Sequence, residues 1–236
     1  MSLSTFVIAH LLAPPPSVRV PTRPAKRRRS PSCDASGAAE YRRGVDVRRA
    51  DLRDVQAVTE TLTDAFARDP VWSWAFPDRN HLQVWWRFWV AGAVPQGWVG
   101  MTEGAGAVSV WIPPGGHECA PEDEAHVEPL ARALAGPRAD LVLETLDRFD
   151  ANHPRGVPHY YLSLLGTASR HRGHGLGMAL LAADLARVDE DHMPAYLESS
   201  NPANVGRYES VGFAPCGEFS LPEGNVVVTT MWRDPA

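Results

Sequence analysis

The strongest constraint in this chain is a junction. The apolar run HYYLSLLGTA, His159 to Ala168, leads through RHRGHGLG, Arg170 to Gly177, into LGMALLAADLARVDED. The first segment reads as a strand covered on both faces. The last reads as an amphipathic helix with Leu176, Ala179, Leu180, Ala183 and Ala186 on one face. Between them Gly173, Gly175 and Gly177 remove Cβ atoms from alternate positions. A helix start presents unpaired N–H groups and partial positive charge, and Arg170 and Arg172 add full charge beside it. That combination suits a phosphate-bearing ligand. A Walker loop needs GK[ST], which is absent. A dinucleotide loop wants GxGxxG in the first βα unit with an acid about 20 residues on, whereas this GxGxG comes late in the chain. His171 and His174 have no carboxylate or cysteine joining them locally, so no metal site is expected.

The rest of the chain supplies a sheet for that junction. GVDVRRA alternates like a strand, and Asp51 opens a helix with Val55, Val58, Leu62, Ala65 and Phe66 at helical spacing, stopped by Pro70. A second helical segment carries Trp85, Trp86 and Trp89, which read as core or as one wall of a pocket. Gly97 to Pro114 reads as two strands about a glycine-rich turn. A helical stretch spans Pro121 to Asp150 with a break near Gly136–Pro137. AYLES is a strand, PANVGRYESVGF a short helix ending at Gly212, and FAPCGEF and NVVVTTMWR are the final strands. The expected class is α/β, one mixed sheet with helices on its faces.

Charge divides the chain. Residues 1–44 hold eight of its 23 basic residues and two of its 28 acidic ones, which leaves 15 against 26 for the remainder. A folded part this acidic is a poor partner for nucleic acid, so any anionic ligand needs a local basic pocket. Residues 1–43, with APPP, VPTRP and KRRRSPS, read as a disordered tail, and 44–236 as one domain. Within the tail KRRR is the one place for a nucleic-acid or targeting patch. Phe6–Leu12 is too short for an anchor and precedes the basic residues, the wrong polarity for a secretory signal. No apolar run nears the roughly 20 residues that cross a bilayer. Cys33, Cys119 and Cys216 are odd in number and widely spaced, so a reducing, cytoplasmic setting is expected.

The residues also carry a resemblance. Arg170-x-x-Gly173-x-Gly175-Leu176-Gly177 after LLGTA resembles the acyl-coenzyme A loop of the GNAT superfamily of N-acetyltransferases. NPANVGRYESVGF, Asn201 to Phe213, is similar to the family's later signature, at the expected separation. MPAYLESSNPANVGRYESVGF, LPEG, MWR, DAFARDP and VSVWIPP resemble puromycin N-acetyltransferase and its relatives. His174, where Arg or Lys is common, and TASRHR, in place of Val-x-Pro, depart from the pattern.

The resemblance implies a mostly antiparallel sheet in which two parallel strands splay, with the pantetheine arm of acetyl-CoA lying in the gap. Leu165, Gly166 and Thr167 would then meet the arm, Gly166 supplying a bulge. The amides from Arg172 to Gly177, His174 and Leu176 included, would hold the pyrophosphate, with Arg170 beside them. Asn204 would either bind the arm or cap its helix. Tyr208 would be the general acid, or a packing residue. Glu198 would be the base, with His153 and His159 as alternatives. The activity implied is acetyl transfer to a primary amine of a small molecule, an antibiotic or other secondary metabolite, by a cytoplasmic monomer or homodimer without a metal. A protein N-acetyltransferase and a silent acyl-coenzyme A-binding domain stay open as alternatives.

Overall fold

The structure, a computed structural model, describes residues 45–223 and 225–236, so the expected tail and Cys33 lie outside the described residues. Asp51 starts the helical part. Its carboxylate accepts from the Arg53 amide at 2.8 Å while Asp54 accepts from the Asp51 amide at 2.9 Å, a reciprocal cap. Helix α1 (Val55–Phe66) follows and buries Val58 and Leu62 completely. A single turn, α2 (Trp72–Ala75), leads to α3 (Arg79–Ala93), which Asp78 caps through the Asn80 amide. Trp85 and Trp86 on α3 are 0% and 2% exposed, which decides for core over pocket wall. Helices α4 (Glu124–Ala135) and α5 (Ala139–Asn152) meet at Gly136, whose φ of 55° turns the chain where the break was expected.

The strands are β1 (Val47–Arg49), β2 (Val99–Thr102), β3 (Ala107–Ile112), β4 (Tyr160–Thr167), β5 (Ala195–Ser199), β6 (Ala214–Ser220) and β7 (Val227–Arg233). They form one sheet in the order β1-β2-β3-β4-β5-β7-β6, in which only β4 and β5 run parallel. Helix α6 (Leu176–Glu190) is the crossover between those two, and α7 (Val205–Glu209) follows β5. One face of the sheet packs with Leu62, Trp85, Trp86, Val90 and Leu164 against α1 and α3. The other packs with Leu162, Leu181, Leu185 and Val188 against α6. Burial on α6 departs from the expected face. Ala183 and Ala186 are only half-buried, while Asp184 is 2% exposed. Its carboxylate accepts from Ser109 Oγ at 2.6 Å and Trp111 Nε1 at 3.1 Å, which is how a charge comes to lie on the buried side.

β4 changes phase along its length. Its pairing with β3 slips between Val110 and Trp111: Val110 opposes Leu164, Trp111 opposes Leu162, and Ser163 is the extra residue. Tyr161 and Leu164 therefore pack on the α1 side, and Leu162 and Leu165 on the α6 side. The bulge was expected at Gly166, which instead sits in register with Val108. Glycine serves there for another reason: a Cβ would come within 3.0 Å of the Ala65 Cβ and 3.2 Å of Leu62, so α1 crosses the strand at that point. No helix among the described residues is long and apolar enough to cross a membrane.

Candidate active site

Pairing between β4 and β5 covers Tyr160–Leu162 and Ala195–Leu197 and then stops, although β4 runs on to Thr167 and β5 to Ser199. The two strands splay. Ala168 donates its amide to Gly106 at 3.0 Å, so on the β3 side the bonded positions are Ala168, Gly166 and Leu164. The alternate residues, Leu165 and Thr167, hold their N–H and C=O toward the gap. The expectation for Leu165 and Thr167 thus has the geometry it needs, while Gly166 turns its own backbone groups the other way.

Below the gap lies the glycine loop. Gly173 (φ 83°) and Gly175 (φ 74°) adopt the left-handed conformation, and a Cβ on Gly173 would meet nothing within 4 Å. They bend the chain and leave open space over the first amides of α6, from Leu176 onward, which have no acceptor within their helix. Gly177 differs, since its Cα faces the Thr167 side chain. Arg170 and Arg172 are exposed, but Arg172 Nη2 donates to the Ala65 carbonyl at 3.0 Å, at the end of α1. Arg170 Nε donates to His171 Nε2 at 3.1 Å, and His174 Nδ1 lies 3.3 Å from the His171 carbonyl. A hollow of about 420 Å³ beside the loop is lined by Asp64, Arg79, Ser169 and Arg170.

At the upper end of the gap Glu198 points to the α1 side. Both its oxygens are engaged: Tyr161 donates to Oε2 at 2.7 Å and Tyr196 to Oε1 at 2.9 Å. Loss of hydration raises the carboxyl to about 8, against the pull of the two hydroxyls, with Glu118 and Asp150 adding repulsion. Glu118 was not foreseen. It lies between β3 and α4, accepts from Ser163 Oγ at 2.5 Å, and reaches solvent although protein crowds around it. Its partner is 45 residues away, and a single carboxylate in a loop leaves no sequence signal.

His153 and His159, the alternative bases, bind one another, Nε2 to Nε2, at 3.1 Å. His159 Nδ1 donates to the Val157 carbonyl at 2.6 Å, so its Nε2 accepts the proton of His153. Burial lowers His153 to about 4, and its ring stands edge-on to Tyr161 and Tyr196. These two histidines are thus neutral supports behind the tyrosines that hold Glu198.

Tyr208 comes from the opposite face. It packs on the α6 side with Leu165, Met178 and Phe213, and burial pushes its hydroxyl up to about 12. Its hydroxyl has no hydrogen-bond partner among the described residues, in contrast to Tyr161 and Tyr196. Asn204 does not cap α7; Asn201 Oδ1 accepts from the Ala203 amide at 3.0 Å, while Asn204 Oδ1 accepts a hydrogen bond from Arg207 Nη1 at 2.8 Å. Cys216 lies beside Thr230 Oγ1 at 3.4 Å, and burial pushes its thiol up.

No protein-family model matches the chain. Solved structures do. A Corynebacterium glutamicum structure described as a histone acetyltransferase and related acetyltransferase is 24% identical, with a TM-score of 0.58 over 81% of this chain and 97% of that one. Mosquito arylalkylamine N-acetyltransferase like 5b matches at 18% identity and a TM-score of 0.52, over 81% and 100%. Drosophila melanogaster polyamine N-acetyltransferase matches at 19% and 0.52, over the same shares. The chain has the GNAT acetyltransferase fold.

Within the GNAT fold the gap and the loop suit acyl-coenzyme A. The unpaired edge at Leu165 and Thr167 can pair with the amides of a pantetheine arm. The open side of Gly173 admits a pyrophosphate to the helix-start amides. The donor set is backbone N–H throughout, matched to phosphate oxygens, and Arg170 and Arg172 lie at the rim.

Proposed function

We propose that this chain is an acetyl-CoA-dependent N-acetyltransferase that acetylates a primary amine of a small molecule. The observation that carries the reading is the splay of β4 from β5 after Leu162 and Leu197, with a glycine-bearing helix start at one end and Glu198 and Tyr208 at the other. Acetyl-CoA, when bound, supplies an activated acetyl carbon. Glu198 takes a proton from the incoming ammonium, directly or through water, so that a neutral amine attacks. A carboxyl near 8 is matched to that task at neutral pH. The Leu165 amide, free of β3, stabilises the oxyanion. Tyr208, fully protonated at neutral pH, gives its proton to the departing sulfur and regains one from the acylated nitrogen, which must shed its remaining excess proton. Transfer is direct, since Cys216 has no histidine beside it and its thiol is pushed up, away from thiolate.

The acceptor enters from the α1–α5 side, where Glu118 and Glu198 favour a cation and the half-buried Tyr161 offers a ring face. Two structural neighbours are named for small amines, an arylalkylamine and a polyamine, which supports a small acceptor over a protein. Sequence likeness to the puromycin N-acetyltransferase group makes an amine antibiotic, handled in the cytoplasm, the first acceptor to try. Release of free thiol from acetyl-CoA across a panel of amines, puromycin first, tests the proposal. Amine-dependent thiol release confirms it; tight binding of acetyl-CoA with no turnover on any amine would show a silent binding domain instead.

A further inference from the structure

We propose that Asp69 is a positioning residue that locks the end of β5, and with it Glu198 and the Tyr208 helix, onto the α1–α2 arm. The inference rests on the acetyltransferase reading for its kinetic consequence and on geometry alone for the lock. Asp69 lies between α1 and α2. Its Oδ1 accepts from the amides of Val71 at 2.9 Å and Trp72 at 3.2 Å, which fixes the start of α2. Its Oδ2 accepts from Ser200 Oγ at 2.9 Å, 131 residues further along the chain. Ser200 is two residues beyond Glu198 and opens the turn into α7. One carboxylate therefore joins two segments that share no strand pairing, the start of α2 and the end of β5.

An apolar plug backs the tie. Val71, whose amide Asp69 holds, is 2% exposed and packs with Leu221 and Val228 at the β6–β7 hairpin, beside Phe149 and Phe219. Asp69 thus presents Val71 to the hairpin and grips Ser200 with the same group. Its charge also faces Tyr208: Asp69 raises that hydroxyl and Arg207, on the tyrosine's own helix, lowers it, while burial dominates both. Burial raises the Asp69 carboxyl, and the three hydrogen bonds it accepts pull it the other way.

Ser200→Ala, a change at a half-buried hydroxyl, removes the tie and leaves the α2 cap intact. Hydrogen exchange across 199–209 is expected to accelerate about tenfold or more, with α1 and α6 unchanged. In amine turnover kcat/KM is expected to fall about tenfold, with KM for acetyl-CoA within about twofold of the parent, because a small misplacement of catalytic groups costs rate more than cofactor affinity. Asp69→Asn is expected to give the larger loss of the two. Unchanged exchange in Ser200→Ala overturns the proposal, as do unchanged amine kinetics in an active enzyme. Accelerated exchange in a protein that turns over no amine keeps the lock and removes the acetyltransferase reading instead.

Discussion

Gly177 stands against Thr167 with no room for a methyl group: a Cβ there would lie 2.6 Å from Thr167 Oγ1. The first turn of α6 is seated directly on the strand edge beside the gap. Gly177→Ala forces either the Thr167 side chain or the first turn of α6 to shift, at an expected cost of about 1–3 kcal/mol and with a raised KM for acetyl-CoA. Thr167→Ala removes the colliding oxygen. The double variant is expected to recover most of both losses, and a thermodynamic cycle over the four proteins measures the coupling.

Tyr208 acts in this reading through its hydroxyl alone. Tyr208→Phe keeps the ring against Phe213 and Leu165 and deletes the proton donor. The expected result is a fall in kcat of roughly 10²-fold or more, with the dissociation constant of acetyl-CoA little changed. Steady-state kinetics beside a calorimetric titration checks it, and an unaltered kcat would remove the acid role.

Glu198 sets a pH dependence of opposite sign for rate and for stability. Its carboxyl is near 8 in the folded chain against 4.5 in the reference state. The active, ionised fraction grows as pH rises through about 8, so kcat/KM is expected to climb across that range. Tyr208 near 12 imposes no falling limb below it. Between these two Glu198 values the native state holds a proton that the unfolded chain releases, so folding stability falls as pH rises through this window. Glu198→Gln should abolish the rise in rate and raise the melting temperature more at pH 9 than at pH 5. A melting temperature for the variant that tracks the parent at both values would refute the assignment.

Asp184 belongs to the scaffold. Asp184→Ala strands the Ser109 hydroxyl and the Trp111 indole N–H in a buried place, at about 2–4 kcal/mol for the pair. Denaturant unfolding should show that loss, while kcat, measured well below the new midpoint, stays near the parent value.

Much of this was legible in the sequence because it is written locally. The strand, glycines and helix from His159 to Glu190 are contiguous, and so is the segment that brings Asn204 and Tyr208 to the end of β5. What escaped is written across distance. Glu118 gains its meaning from Ser163, and Asp69 from Ser200, and neither partner is visible along the chain. The Ser163 bulge has no glycine or proline to announce it. Asp184 broke the hydrophobic period of α6, because a residue counted as polar was buried by partners on β3.

The slipped register at Ser163 has a consequence for how such a chain can change. Without the extra residue, Leu164 would turn toward α6 and Leu165 toward α1, and one strand could not present Tyr161 and Ser163 to an acceptor while offering Leu165 and Thr167 to a cofactor. The bulge splices two half-strands out of step. On the acetyltransferase reading, the side chain at 163 can then be exchanged to recognise a new amine while Tyr161 stays on Glu198 and 164–167 keep their phase, so selectivity can drift over a fixed coenzyme seat.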